Sequence, residues 1–327
     1  MKTLFILHPS SVRRRPSSVI SLLAALVLAG AGCSTPPKIV RTDPEIERNV
    51  AVAQGAYAAG SAEKAAGYYQ KALQRARIMD SHTEIARNAY NLAACLAALR
   101  AYDAARDCLD EARLEFQRAD IPCRELPLLD AKIARAQGRT QEAESMARAE
   151  QKKPAGPNDA IRIQWHILLA ELLCGQDQAA AADAELAAID PKQLEACGTD
   201  IRAETALTRA RVQMLKRNLQ EAALQYDSAA GYWQAAGRYD DMASALEQAG
   251  RAYESGDNHP SAADRYYRAA RSLFESGQLA PARDLATQAL ALAAASHQPE
   301  LHKQVERLKT EIDRQQQKAG TADKKTN

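Results

Sequence analysis

Aromatic side chains are scarce: they make up 5% of the 327 residues, with three Phe and two Trp. β-Branched residues are also few, whereas alanine is abundant. That balance argues against a sheet and for closely packed helices. Glycine and proline number only 15 and 13 and stand at spaced points. With 46% apolar residues, the chain is not of the disordered class. Chemistry-bearing motifs are missing too. There is no C-x-x-C, no H-E-x-x-H, no G-x-G-x-x-G, no phosphate-binding loop and no G-x-S-x-G. His82, His166, His259, His297 and His302 pair with no other His or Cys at ligand spacing. The expectation is a protein that is not an enzyme and uses no cofactor and no metal.

A strong basic excess is also absent. The formal charge is +2, but the segment 1–32 holds Lys2, Arg13, Arg14 and Arg15 and no acid. Removing those four from the 43 Lys and Arg leaves 39 against 41 Asp and Glu. A nucleic-acid footprint needs a basic cluster, so nucleic acid is not expected as a partner.

That leading segment has its own pattern. Arg13 to Arg15 form a positive patch, followed by an uncharged stretch from Val19 to Ala31. It is shorter than the roughly 20 residues that span a bilayer, but it fits the apolar region of a signal peptide. It ends in Leu28-Ala29-Gly30-Ala31-Gly32-Cys33-Ser34. This resembles the bacterial lipobox, with Gly30 where Leu is commonest. The resemblance implies a signal peptide over 1–32 and a lipid-modified (palmitate-bearing) Cys33. Ser34 in place of Asp then favours the outer membrane, with the chain facing the periplasm. A plain signal peptide cut near Gly32 is the alternative. Residues 33–43, with a Pro pair, read as a short tether.

Beyond the tether one pattern recurs: a turn residue, Ala five positions later, a bulky residue or Ala four further on, and a small residue after three more. The copies are Gly60, Ala65, Tyr69, Ala72; Arg100, Ala105, Leu109, Ala112; Gly138, Ala143, Ala147; Gly175, Ala180, Ala184, Ala187; Arg217, Ala222, Tyr226, Ala229; and Gly277, Ala282, Ala286, Ala289. Ala263, Tyr267 and Ala270 also fit, with a longer turn counted from Gly256. Residues at i, i+4 and i+7 share one helix face. The alanines let a neighbouring helix approach, and the residue between them fills the groove.

The stretch Ala56 to Leu73 (AYAAGSAEKAAGYYQKAL) carries the closest likeness to a known family. It resembles the tetratricopeptide repeat (TPR), as do Ala101 to Ala105 and Leu219 to Ala223. The resemblance implies an all-α, right-handed α-solenoid of about seven antiparallel helix pairs over 44–317, followed by a disordered tail over 318–327. Anchor alanines 65, 105, 143, 180, 222 and 263 lie about 40 apart, against the usual period of about 34. Helices are expected at 45–59, 62–79, 83–99, 102–119, 124–137, 140–152, 158–174, 177–189, 199–217, 220–236, 239–255, 261–276, 280–295 and 299–317. The only subdomain boundary suggested is Pro154 to Pro157.

If Cys33 is acylated, Cys95, Cys108, Cys123, Cys174 and Cys197 remain, an odd number. They read as small buried side chains, with a Cys95–Cys108 bond within one hairpin as the alternative. The family geometry implies a groove lined by the first helix of each pair. Its candidates are Gln54, Tyr57, Tyr90, Asn91, Trp165, His166, Leu169, Arg211, Met214 and Tyr253. Any of them can equally pack between helices. Val50 and Gln54 stand where the family's carboxylate-gripping members have Lys and Asn, so that clamp is not expected. The functional expectation is a lipid-anchored scaffold for a protein partner in envelope or outer-membrane assembly. The alternative is a peptide- or glycan-binding solenoid that assists cell-wall enzymes, favoured if an aromatic cavity opens near Trp165.

Overall fold

The computed structural model describes residues 43–153 and 159–326, the last of these from 319 as backbone only. Cys33, the signal segment and Pro154 to Pro157 lie outside the described residues. Among the described residues there are fifteen helices and no strand. In order they are α1 (Pro44–Ala58), α2 (Ala62–Ile78), α3 (His82–Ala98), α4 (Tyr102–Arg118), α5 (Glu125–Ala136), α6 (Thr140–Gln151), α7 (Ala160–Cys174) and α8 (Ala179–Ala187). Then follow α9 (Pro191–Glu195), α10 (Thr199–Leu215), α11 (Leu219–Ala235), α12 (Tyr239–Ser255), α13 (His259–Glu275), α14 (Leu279–Ala295) and α15 (Pro299–Thr326). Setting aside α9, they form seven pairs, in each of which the chain reverses through a short link.

The chain divides into two compact units, one ending at Leu126 and the other starting at Pro127. The division falls inside α5 and not at Pro154 to Pro157. In unit 1 each of α1 to α3 packs on the next; in unit 2 the same holds from α10 to α15, and α10 also touches α7 and α8. This is the nearest-neighbour organisation of a helical array.

The repeat is sharper than the alanine pattern alone indicates. Eight helices (α2, α3, α4 and α10 to α14) have 17 residues each. Links of one constant length join consecutive members, so from α2 to α4 and from α10 to α14 each further pair of helices returns the chain to the same register. The middle residue of the link is left-handed: Gly60, Asp80, Arg100, Arg217, Gly237, Asp257, Gly277 and His297 all have positive φ. Each link closes in the same way. Gly60 N–H donates to Tyr57 O and Ser61 N–H to Ala56 O, both at 2.9 Å, which satisfies carbonyls the helix end would otherwise strand. Arg100 and Ala101 repeat this onto Ala97 and Leu96, and Arg217 and Asn218 onto Met214 and Gln213.

These left-handed positions correct the register of two copies. The turn before α8 is left-handed at Asp177, while Gly175 is an ordinary helix cap. The buried residues five, nine and twelve positions on are therefore Ala182, Leu186 and Ile189, and Ala180 and Ala184 are not among the buried. Before α13 the left-handed residue is Asp257, not Gly256. The motif there is Ala262, Tyr266 and Ala269, all buried, and its turn is no longer than the others.

Two other features depart from expectation. An extra helix, α9, stands between the helices expected at 177–189 and 199–217, and Asp190-Pro191 starts it. Asp190 Oδ1 accepts from Lys192 N–H at 2.9 Å, and a proline in the first turn is already set to a helical φ. The backbone of α15 continues to Thr326, through the segment expected as a disordered tail, because no proline interrupts it.

Candidate interaction face

Alanine makes room between helices throughout: Ala65, Ala105, Ala143, Ala182, Ala222, Ala262 and Ala282 are fully buried. The larger side chains Tyr69, Leu109, Tyr226 and Tyr266 fill the space beside them. What remains for a partner is the stripe that each first helix turns away from its second helix. It is found by counting back six and thirteen positions from the left-handed residue, because positions seven apart share one face.

In unit 2 the six-back residues are Lys132, Glu171, Arg211 and Arg251, with the row ending in Ala291 of α14, and the thirteen-back residues include Gln164 and Glu204. They meet across consecutive first helices. Lys132 Nζ of α5 donates to Gln164 Oε1 of α7 at 3.3 Å and lies 4.0 Å from Glu204 Oε2 of α10. Glu171 of α7 accepts from Arg135 of α5 and, at 3.1 Å, from Arg211 of α10. Glu171 and Arg211 occupy equivalent positions in successive helix pairs. Burial pushes the Glu204 carboxyl above the usual range, and the Lys132 ammonium opposes that shift. The Arg211 side chain is 51% exposed, and Arg251 of α12 holds Glu247 at 2.5 Å while 59% exposed. The face is thus a charged row with a half-buried floor and two accessible arginines.

In unit 1 the six-back residue of α1 is Gln54, whose Nε2 is buried without a hydrogen bond among the described residues. The thirteen-back residue of α3 is Arg87, 3.5 Å from Glu84. Burial raises the Glu84 carboxyl, and Arg87 opposes that rise.

The ten groove candidates divide evenly. Gln54, Tyr57, His166, Arg211 and Met214 retain surface, whereas Tyr90, Asn91, Trp165, Leu169 and Tyr253 are buried. Trp165 and Leu169 belong to the core that α7 shares with its neighbours. Tyr253 turns its hydroxyl to Asp227 Oδ2 of α11 at 3.0 Å. His166 braces second helices: its Nδ1 lies 2.8 Å from Glu185 of α8 and 3.2 Å from Gln151 of α6. Only Gln54 and Arg211 share the six-back register. Lys132, Glu171, Glu204 and Arg251 were not singled out by residue type, since each is an unremarked charge in a charged helix; the distance from the left-handed residue is the signal that finds them.

Cys95, Cys108, Cys123, Cys174 and Cys197 are free thiols, with Cys95 buried. Burial pushes Cys95 and Cys123 up to about 12 and Cys108 to about 11. Among the described residues no helix is long and apolar enough to cross a membrane, and no group of acids, His or Cys could hold a metal ion.

No family model and no curated protein matches the chain. Among solved structures it is similar to a Rap protein complexed with competence and sporulation factor, at 12% identity and a TM-score of 0.49, over 83% of this chain and 77% of that one. A tetratricopeptide repeat protein from Parabacteroides merdae gives 12% identity and a TM-score of 0.38, over 82% and 100%. The TPR2AB domain of yeast Sti1 in complex with pHSP90 gives 15% and 0.30, over 82% and 98%.

Proposed function

We propose that the chain is a tetratricopeptide-type scaffold that holds a protein partner on the first-helix face of unit 2. In this reading Cys33 is acylated, the protein is an outer-membrane lipoprotein facing the periplasm, and its process is envelope or outer-membrane assembly. The observation that carries the binding role is the row Lys132, Glu171 and Arg211, which joins three successive first helices and leaves Arg211 half in solvent. Arginine on a preformed surface is a common interface anchor. The lipobox-like run from Leu28 to Ser34 supports the anchor. An aromatic cavity at Trp165 would favour the peptide- or glycan-binding alternative, but that indole is 2% exposed and offers no stacking face.

Two experiments test the parts separately. A photo-crosslinking residue at Arg211 or Arg251 should capture a protein in intact cells, and one at Leu224 on a second helix should not. Capture from Leu224 alone would move the interface elsewhere. Metabolic labelling with a fatty-acid analogue should be lost in Cys33→Ser; equal labelling of both chains would remove the anchor.

A further inference from the structure

One end of unit 1 carries exposed apolar side chains close to the point where the N-terminal segment leaves. Asp43, the residue before α1, is bonded by Arg75 in the last turn of α2 at 2.9 Å. Three positions on, Ile78 is 75% exposed, and Met79 beside it is 42% exposed. Both precede the left-handed Asp80, so they stand at the tip where the chain turns into α3. His82 at the start of α3 contacts Glu115 near the end of α4 at 2.6 Å, which brings the end of α4 to the same level. There Leu114 is 46% exposed, one turn past Glu111, which Arg77 grips at 2.6 Å.

Three of the cations at this end are already matched, Arg75 by Asp43, Arg77 by Glu111 and Arg118 by Glu115, which leaves Arg48 of α1 in solvent. One unmatched arginine is a weak attraction for an anionic protein partner and is compatible with a lipid headgroup layer. What is left over is apolar surface, and a bilayer interface accepts it.

The length of chain before the helices selects the occupant. Asp43 stands ten positions after Cys33, a reach of at most about 35 Å when fully extended. The opposite end of unit 1, where Leu99 is 43% exposed, lies a whole helix away, about 25 Å further, so seating that end would need most of the tether drawn out along the unit, whereas the Ile78 end needs none of it. An anchor at Cys33 would thus hold the Ile78 end near the lipid at high effective concentration, where even a weak apolar contact is occupied.

We propose that Ile78, Met79 and Leu114 form a membrane-contacting surface that seats unit 1 on the bilayer holding Cys33. The proposal rests on acylation of Cys33. It is tested with the full acylated chain in vesicles of phosphatidylethanolamine and phosphatidylglycerol whose acyl chains carry a quencher. An environment-sensitive fluorophore is attached at Ile78→Cys and, separately, at Leu99→Cys, with the unsubstituted chain as labelling blank. The expected result is a blue shift and loss of emission at position 78, with emission at 99 unchanged. Equal emission at both sites in vesicle-bound, acylated chain would overturn the membrane surface and leave the anchor intact. Shielding of position 78 from aqueous iodide without lipid quenching would point to a protein contact and also overturn it. A chain that takes up no fatty acid in cells would remove both readings.

Discussion

Tyr266 of α13 lies across Gly250 of α12 so closely that a Cβ on Gly250 would sit 2.7 Å from the ring. The ring is held in place: it is 1% exposed, and its hydroxyl donates to Glu254 at 2.7 Å. Ala in place of Gly adds about 1 kcal/mol of helix propensity, but overpacking a fixed core costs about 1–3 kcal/mol. Gly250→Ala is therefore expected to destabilise, with a lower urea midpoint. Gly231 in α11 has nothing within 4 Å of a Cβ, so Gly231→Ala should raise the midpoint. The two substitutions have the same chemistry and opposite expected signs.

The left-handed link residues give a second pair of opposite effects. A side chain with a Cβ costs about 1–2 kcal/mol in this conformation. Arg217, at φ 61°, bears that cost, whereas Gly237, at φ 70°, does not. Part of the relief is lost because glycine makes the unfolded chain freer. Arg217→Gly should stabilise by about 0.5–1 kcal/mol and Gly237→Ala should destabilise by about 1 kcal/mol. Thermal or urea unfolding of both variants checks this.

These positions also show what could and could not be read in advance. Alternation of Ala with bulky residues at i, i+4 and i+7 was enough to place the helix pairs, because close approach leaves few alternatives to alanine. Where glycine marks the left-handed residue, as at Gly60 or Gly277, the register was legible. Where Asp177 and Asp257 take that conformation beside an ordinary Gly175 and Gly256, it was not. The candidate face suffered from a related ambiguity. Tyr90, Trp165 and Tyr253 have the residue types that anchor interfaces, but the same large side chains fill gaps between alanine-rich helices. The charged row at Lys132, Glu171 and Arg211 emerges only from the register that the left-handed residues set.

The cysteines are expected to be inert. At pH 8 a thiol of ordinary pKa is about one-quarter thiolate, whereas one near 11 is about one-thousandth. Cys95, Cys108 and Cys123 stand at about 12, 11 and 12, and burial also raises Cys174 and Cys197. Iodoacetamide at pH 8 should label the folded chain far more slowly than the chain in urea. Rapid native labelling of Cys95 would show that α3 opens.

Glu204 makes stability depend on pH. Its folded pKa is raised by burial, more than Lys132 lowers it, so folding favours the protonated acid. The sign follows: this contribution is present below the unfolded value of about 4.3 and is lost as pH rises through the folded value. Glu204→Gln should therefore gain stability relative to the parent chain between pH 4 and pH 7. Urea midpoints of both proteins at the two pH values measure it. A gain at pH 4 that vanishes at pH 7 would mean that the Lys132 contact outweighs desolvation.

Because the same link recurs at Arg217, Asp257 and His297, deleting two consecutive helices with their links in this stretch should preserve the array. Removing Leu219 to Asn258 joins Asn218 to His259, keeps the left-handed Arg217 in its link, and puts α13 where α11 packed on α10. Ala262, Tyr266 and Ala269 then take the places of Ala222, Tyr226 and Ala229, which match them in type and burial. Nearest-neighbour arrays tolerate loss of a whole repeat because each interface is re-formed by its equivalent. Ala210 would stand under Tyr266 where Gly250 stood, so a stability loss of about 1–3 kcal/mol is expected from that contact. The denaturant slope should also fall with the smaller surface exposed on unfolding. Deleting only Glu221 to Asn258 shifts the alanine face by two positions, about 200° around the helix, and turns it to solvent. Circular dichroism and urea unfolding of the two variants should show near-parental helicity per residue and a single cooperative transition for the forty-residue deletion, and lower helicity with an early, broadened loss of the helices after α10 for the shorter one, unit 1 unfolding as before.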